Sequence, residues 1–274
     1  MMQLSVSNIA WQKEHDYEAY SLLSDMGINW IELAPARIAN WDSISIALIE
    51  DYLADLQKYK LSVSSLQGIF FGKKGISLTG EDEQFDAFLK HVEFVAKIAD
   101  TVGCKPGVFG APLIKLRGEK SKADLDQIVC ERLKLVGETI QHTNFILSLE
   151  PVPSYYGADY LTSTSEILAM LEKVNHPNIG LHLDIACVQL GEQDISSIIK
   201  SLEKSTIKHF HISEPDLKNF SNPIMSHRNA AQALRAINYD RFVTIEMKAV
   251  ENTWKANLQQ AITYCRNTYF GQLT

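Results

Sequence analysis

The sequence predicts an α/β fold of one kind, a single closed (β/α)8 barrel spanning residues 1–274. Three observations predict it. Short apolar or β-branched runs alternate with longer amphipathic segments eight times, which is the pattern of repeated βα units on a parallel sheet. No linker, charge block or low-complexity tract divides the chain. Its 274 residues suit one barrel, which typically takes about 250 residues. An open doubly wound sheet is the rival, but such sheets usually carry GxGxxG after the first strand. Here that stretch reads "SNIAWQKEHD", without a glycine.

Taken in order, residues 3–9 form the first strand and "YEAYSLLSDMG" the first helix, with Gly27 just past its end in the place a left-handed cap requires. Residues 30–33 then make a second strand, followed by "SIALIEDYLADLQKYK", whose apolar residues recur at three and four residue spacings. The third unit is residues 61–66 with "EQFDAFLKHVEFVAKIADTVG", again closed by a glycine, Gly103. The fourth is residues 106–109 with "LDQIVCERLKLVGETIQHT". Residues 145–149 form the fifth strand, and "STSE" at residues 163–166 is a capping box opening the helix that follows. Residues 179–183, 207–212 and 242–245 complete the set of strands.

Composition narrows the function. With 46% hydrophobic and 22% charged residues, the chain can build a large core. Its net charge of −7 opposes attraction to phosphate backbones, so nucleic acid is not the expected partner. No apolar run approaches the roughly 20 residues that span a bilayer, and "MMQLSVSNIAW" lacks a basic region followed by an apolar one. No membrane is expected, and the expected location is cytoplasmic. Cys104, Cys130, Cys187 and Cys265 form no CxxC pair and read as reduced, buried thiols.

The strand ends carry the chemistry. In "FILSLEP" an apolar run meets Glu150 where a buried strand would surface. "IGLHLD" ends likewise in Asp184, "IKHFHISEP" carries His211 and Glu214, and "FVTIEMK" carries Glu246 and Lys248. Glu150, Asp184, His211 and Glu246 are separated by 34, 27 and 35 residues, close to the roughly 30 residues of one βα unit. They therefore come from consecutive strands and converge at the barrel mouth. A single acid at a strand end is usually a turn residue or helix cap. Three carboxylates and an imidazole together need a compensating cation, and hard oxygens suit one Mn2+, Mg2+ or Co2+ ion, with Zn2+ less natural. Alternation puts His182 and His209 on the same inner face, one layer below.

On these residues the chain resembles the sugar phosphate isomerase/epimerase superfamily, the xylose isomerase-like TIM barrels. "SLEP", "LHLD", "HFHISE" and "TIEM" look like the four strand ends with which ketose 3-epimerases hold one divalent metal. The resemblance implies that Glu150, Asp184, His211 and Glu246 bind the metal, and that Glu150 and Glu246 also act as the acid/base pair of an isomerase or epimerase. It departs from that branch at Cys187, where a His is usual, and at Leu217, where an Arg is usual. Both changes remove expected substrate contacts.

Other residues carry two readings each. Glu32, in "IELAPARI", matches a common strand-two acid and is either a substrate contact or a buried acid paired with a base. His227 either contacts substrate or caps the last unit's helix. Glu214 and Lys248 are substrate contacts or turn residues. Trp11, and Tyr156 in the loop "PVPSYYGADY", stack on sugar or pack on the rim. Lys115, Arg117, Lys120 and Lys122 either meet a phosphate or form a solvated face. The expected partner is a small carbohydrate, and homo-oligomerisation stays open. An apurinic endonuclease of the same superfamily is disfavoured, since the third and fourth strand ends lack His. An inosose dehydratase-type lyase and a non-catalytic sugar-binding barrel remain as alternatives.

Overall fold

The computed structural model describes residues 1–271. Eight parallel strands close into a barrel in chain order: β1 Gln3–Ser7, β2 Trp30–Leu33, β3 Ser62–Leu66, β4 Pro106–Phe109, β5 Ile146–Leu149, β6 Ile179–Asp184, β7 Ile207–Ser213 and β8 Phe242–Glu246. β8 closes on β1, with Gln3 opposite Phe242 and Val6 opposite Ile245. The helices outside are α1 Asp16–Asp25, α2 Ile46–Lys58, α3 Asp82–Val102, α4 Lys122–Ile140, α5 Thr164–Val174, α6 Ile185–Leu190, α7 Ile195–Lys200, α8 His227–Ala236 and α9 Trp254–Cys265. The predicted barrel is the observed one.

Strand boundaries differ by one or two residues, each for a local reason. The first strand stops at Ser7 because Asn8–Ala10 coil into a 3-10 turn capped by the Ser7 hydroxyl. β6, β7 and β8 each run one residue further than expected, so Asp184 pairs with His211 and Ser213 with Glu246 inside the ladder. Asp184, His211 and Glu246 thus stand on paired strand backbone, while Glu150 follows β5 by one residue with its N–H on the Phe109 carbonyl. Gly103 adopts the left-handed conformation at φ 73° that closes α3. At α5 the box is half made: Ser163 Oγ accepts from Glu166 N, while the Glu166 carboxylate takes the N–H of Thr162. The complete reciprocal box lies at α3, between Glu81 and Gln84.

Alternation sends Leu181, Leu183, Phe210, Ile212, Val243 and Ile245 outward into the layer beneath the helices, where all are buried. The barrel interior is different. It is filled by small hydroxyls and imidazoles rather than the branched aliphatics usual in such barrels. Ser5 and Ser64 bond across it at 2.7 Å, and a register shift in β2–β3 pairs Glu32 with Ser65 and leaves Ser64 as the extra residue. This buried polar column leads up to the mouth.

Candidate metal centre and active site

Asp184 ends β6 and starts α6, and its two oxygens divide the work. Oδ1 accepts the Cys187 N–H at 2.7 Å, capping the helix, and Oδ2 faces His211 Nδ1 at 3.8 Å. Glu246, at the end of β8, brings Oε2 to 3.2 Å from the same nitrogen. Ligand atoms of Asp184, His211 and Glu246 all lie within 4.8 Å of one another, and those of Glu150, Asp184 and Cys187 do so as well. Asp184 joins the two groups.

His211 and Glu150 are held from behind. His211 Nε2 lies 3.0 Å from the Glu32 carboxylate, while its Nδ1 is buried and has no hydrogen bond. Lys115 Nζ donates to the Glu150 carbonyl at 2.7 Å, with its charge over the Phe109 ring. Gly110 faces the Glu150 side chain so closely that a Cβ there would overlap Oε2.

Electrostatics reflect the crowding. Burial, with Asp184 and Glu246 alongside, pushes the Glu150 carboxyl up to about 8. Burial and then Glu246 raise Asp184. Burial alone opposes an imidazolium at His211, yet Glu32 and Glu246 outweigh it and hold the ring well above the ordinary histidine value. Burial pushes the Lys115 ammonium down to about 8 against the pull of Glu150. Asp184 thus stands between Glu246 and the unpartnered His211 nitrogen on one side and Glu150 with Cys187 on the other, and the oxygen-rich set fits a divalent cation with a taste for oxygen.

Above them opens a cavity of about 630 Å³. Glu150 and Glu246 line it, as do Gln67 and Tyr156, and its walls come from the loops after β3 and β4, including Phe71 and Leu113. Asp184 and His211 are buried and are not part of its lining. So the open space reaches two carboxylates of the four-residue set.

Of the six expected substrate contacts, the structure brings Tyr156 to this cavity, its hydroxyl accepting the Asp216 N–H at 2.9 Å. Glu32 is fully buried in the barrel interior and meets His209, His211 and Ser65, the buried-acid arrangement of its two readings, and does not reach the cavity. Trp11 is buried and donates Nε1–H to Asp16. Glu214 and His227 bond each other at 2.7 Å, Glu214 also accepting the N–H groups of Ile224 and Met225. That pair ties down the β7–α8 loop. Lys248 is exposed, with its backbone N–H on Leu217. Of the basic run after β4, Lys115 is buried, while Arg117, Lys120 and Lys122 lie on the exposed face, Lys120 bonding the Thr79 carbonyl and Lys122 pairing with Asp126 and Glu166.

Sequence reasoning missed Gly110 and the true place of Lys115. Their signal was faint: "GVFGAP" carries a glycine at the end of a strand whose neighbour ends in Glu150. The first predicted β7-loop contact, Glu214, is one residue past the strand and turns away from the mouth.

Among known proteins, the family model for the xylose isomerase-like TIM barrel matches residues 20–268. A probable ketose 3-epimerase of Synechocystis sp. is 24% identical over 262 residues, covering 93% of this chain and 88% of that one. A ketose 3-epimerase of Arthrobacter globiformis is 23% identical over 254 residues, with 89% and 83% covered. The solved structure of D-psicose 3-epimerase with D-tagatose, from Clostridium cellulolyticum, superposes with a TM-score of 0.81 at 14% identity, covering 98% of this chain and 99% of that one. The chain belongs to the xylose isomerase-like TIM barrel family and is an enzyme of the isomerase and epimerase kind.

Proposed function

We propose that the chain is a divalent-metal-dependent ketose isomerase or epimerase, with Glu150, Asp184, His211 and Glu246 as ligands of one ion, Mn2+ first, and with Co2+, Mg2+ and Zn2+ as substitutes. The observation that carries this reading is the division of the four residues. Glu150 and Glu246 line the cavity while Asp184 and His211 are buried outside its lining, so two carboxylates are free to meet substrate as well as metal. When bound, the ion would hold a carbonyl and a neighbouring hydroxyl and offset the charge that develops on them.

The residues then do ordinary acid/base work. One of Glu150 and Glu246 removes the proton on the carbon next to the carbonyl, giving an enediolate, and a proton is returned either by the other carboxyl to the opposite face of that carbon, which makes the epimer, or to the neighbouring carbon, which makes the isomer. Tyr156 flanks the same space and is placed to stack on or bond the sugar. Asp184 caps α6 with one oxygen, so its other oxygen cannot swing away.

The cavity favours a neutral sugar. Lys73 is the cation in its lining, and its ammonium is engaged with Asp42 at 3.3 Å. The carbohydrate partner is therefore an unphosphorylated ketose.

The test has two steps. Elemental analysis after dialysis against a weak chelator and readdition of Mn2+ should find one ion per chain. Ketoses incubated in heavy water should then take up deuterium next to the carbonyl, and Glu246→Gln should lower that exchange by about 10²–10⁴-fold. No retained metal, or full exchange in the variant, would remove this mechanism while leaving the barrel intact. Loss of water from the substrate would make the enzyme a lyase.

A further inference from the structure

Glu32 lies at the centre of the barrel interior with no exposed surface. Its Oε1 lies 2.8 Å from Ser65 Oγ, 2.9 Å from His209 Nε2 and 3.0 Å from His211 Nε2, and its Oε2 is also 3.0 Å from His211 Nε2. An ionised carboxylate accepts and never donates, so both ring nitrogens facing it must carry their protons. For His211 this leaves Nδ1 as the nitrogen that points at Asp184 and Glu246, the one without a hydrogen bond. The ring is also wedged. His182 meets its edge at 4.2 Å between centroids and His209 at 5.1 Å, both close to perpendicular. His182 offers no competing polar contact, because neither of its nitrogens has a partner.

We propose that Glu32 is a positioning residue for the metal centre: it holds the Nε2–H of His211 and so aims Nδ1 between Asp184 and Glu246, as the nitrogen that exchanges its proton for a cation. The role rests on the metal reading above and goes beyond it. A fully buried carboxylate is costly unless it is paired, and here it is bonded to the base of a mouth histidine rather than to a helix or a turn. A carboxylate behind a ligating imidazole fixes its ring and tautomer and makes the outer nitrogen a stronger donor. Its chemistry is selective. Gln at this position keeps one carbonyl oxygen but sets an amide N–H against the Nε2–H of His211, where two donors face each other.

The probe is the metal alone. Titration calorimetry with Mn2+ on the chelated wild-type chain should find one site, and Glu32→Gln should weaken it by about 10–100-fold. Glu32→Asp keeps the charge one methylene further back and should fall between the two. Melting of the metal-free proteins separates this from a merely structural role, which would lower stability and leave affinity alone. A second measurement needs no variant. In 15N-histidine wild-type protein, long-range 1H–15N correlation should show His211 protonated at Nε2, with Nδ1 shifting on addition of Zn2+. Affinity unchanged within twofold in Glu32→Gln, or a Zn2+ shift at Nε2 instead of Nδ1, would overturn the role of Glu32 with the metal site intact. Absence of any site in the wild type would overturn the metal reading itself.

Discussion

At the scale of single residues, the mouth depends on atoms that are missing as much as on those present. Gly110 has no side chain, and Oε2 of Glu150 occupies the space where a Cβ would be. Gly110→Ala therefore leaves β4 unchanged in pattern and pushes a carboxylate off its position. A displacement of about 1 Å at a reacting group can lower rates by about 10²-fold. The expected outcome is a folded protein with a normal far-UV spectrum and a deuterium-exchange rate down by at least that factor. Exchange near the wild-type rate would mean that Glu150 tolerates a different rotamer. His211→Ala acts differently, because it removes a nitrogen donor and strands Glu32 without one of its two imidazoles. Calorimetry should show Mn2+ affinity falling sharply, and unchanged affinity would take His211 out of the ligand set.

At the scale of elements, the β7–α8 connection is an example of a loop fastened by one buried carboxylate. Glu214 accepts from His227 Nε2 at 2.7 Å and from the N–H groups of Ile224 and Met225 at 2.9 and 3.3 Å, and His227 Nδ1 meets the Tyr269 hydroxyl at 2.9 Å. Burial opposes the Glu214 charge, but the bonds from His227 and the two backbone amides outweigh it and hold the carboxyl below its ordinary value. Glu214→Ala leaves the buried Nε2–H of His227 and two partly buried amide N–H groups without their acceptor, at about 1–3 kcal/mol for a typical buried unsatisfied group. Urea denaturation of the metal-free protein should show a loss of about 3 kcal/mol, and a loss under 1 kcal/mol would mean that water replaces the carboxylate freely. None of this was visible from the chain. Strand ends were legible because alternation and unit spacing are local properties, and Glu150, Asp184, His211 and Glu246 could be placed at one mouth from spacing alone. Partners across the barrel are not local: 177 residues separate Glu32 from His209. Lys115 misled for a related reason. A charge run normally lies on a solvated face, and only the closed loop after β4 folds this one lysine under Glu150.

At the scale of the whole molecule, the acids gathered at one end couple folding to pH and to metal. In the metal-free chain Glu150 titrates near 8, against about 4.5 for a free glutamate. Between those values the folded state holds a proton that the unfolded state has released, so stability declines as pH rises. Asp184 and His211, both raised, act in the same direction. His182 and His209 act oppositely, being held neutral by burial and, for His182, by the other histidines, but only below about 6.5, where unfolded histidines begin to charge. Lys115 keeps its proton in both states until about 8. From pH 6.5 to about 8 the raised groups therefore decide the slope, and the metal-free protein should lose stability steadily across that window. A saturating divalent cation replaces the protons and removes the slope, and it adds about 2.7 kcal/mol at 100 times its dissociation constant. The stabilisation conferred by metal should thus grow from pH 6.5 to 8. Urea denaturation at three pH values, with chelator and with Mn2+, measures both curves. If the metal-free protein instead becomes more stable toward pH 8, the folded state holds no extra protons in that window, and the mouth carboxyls do not couple folding and metal binding to pH.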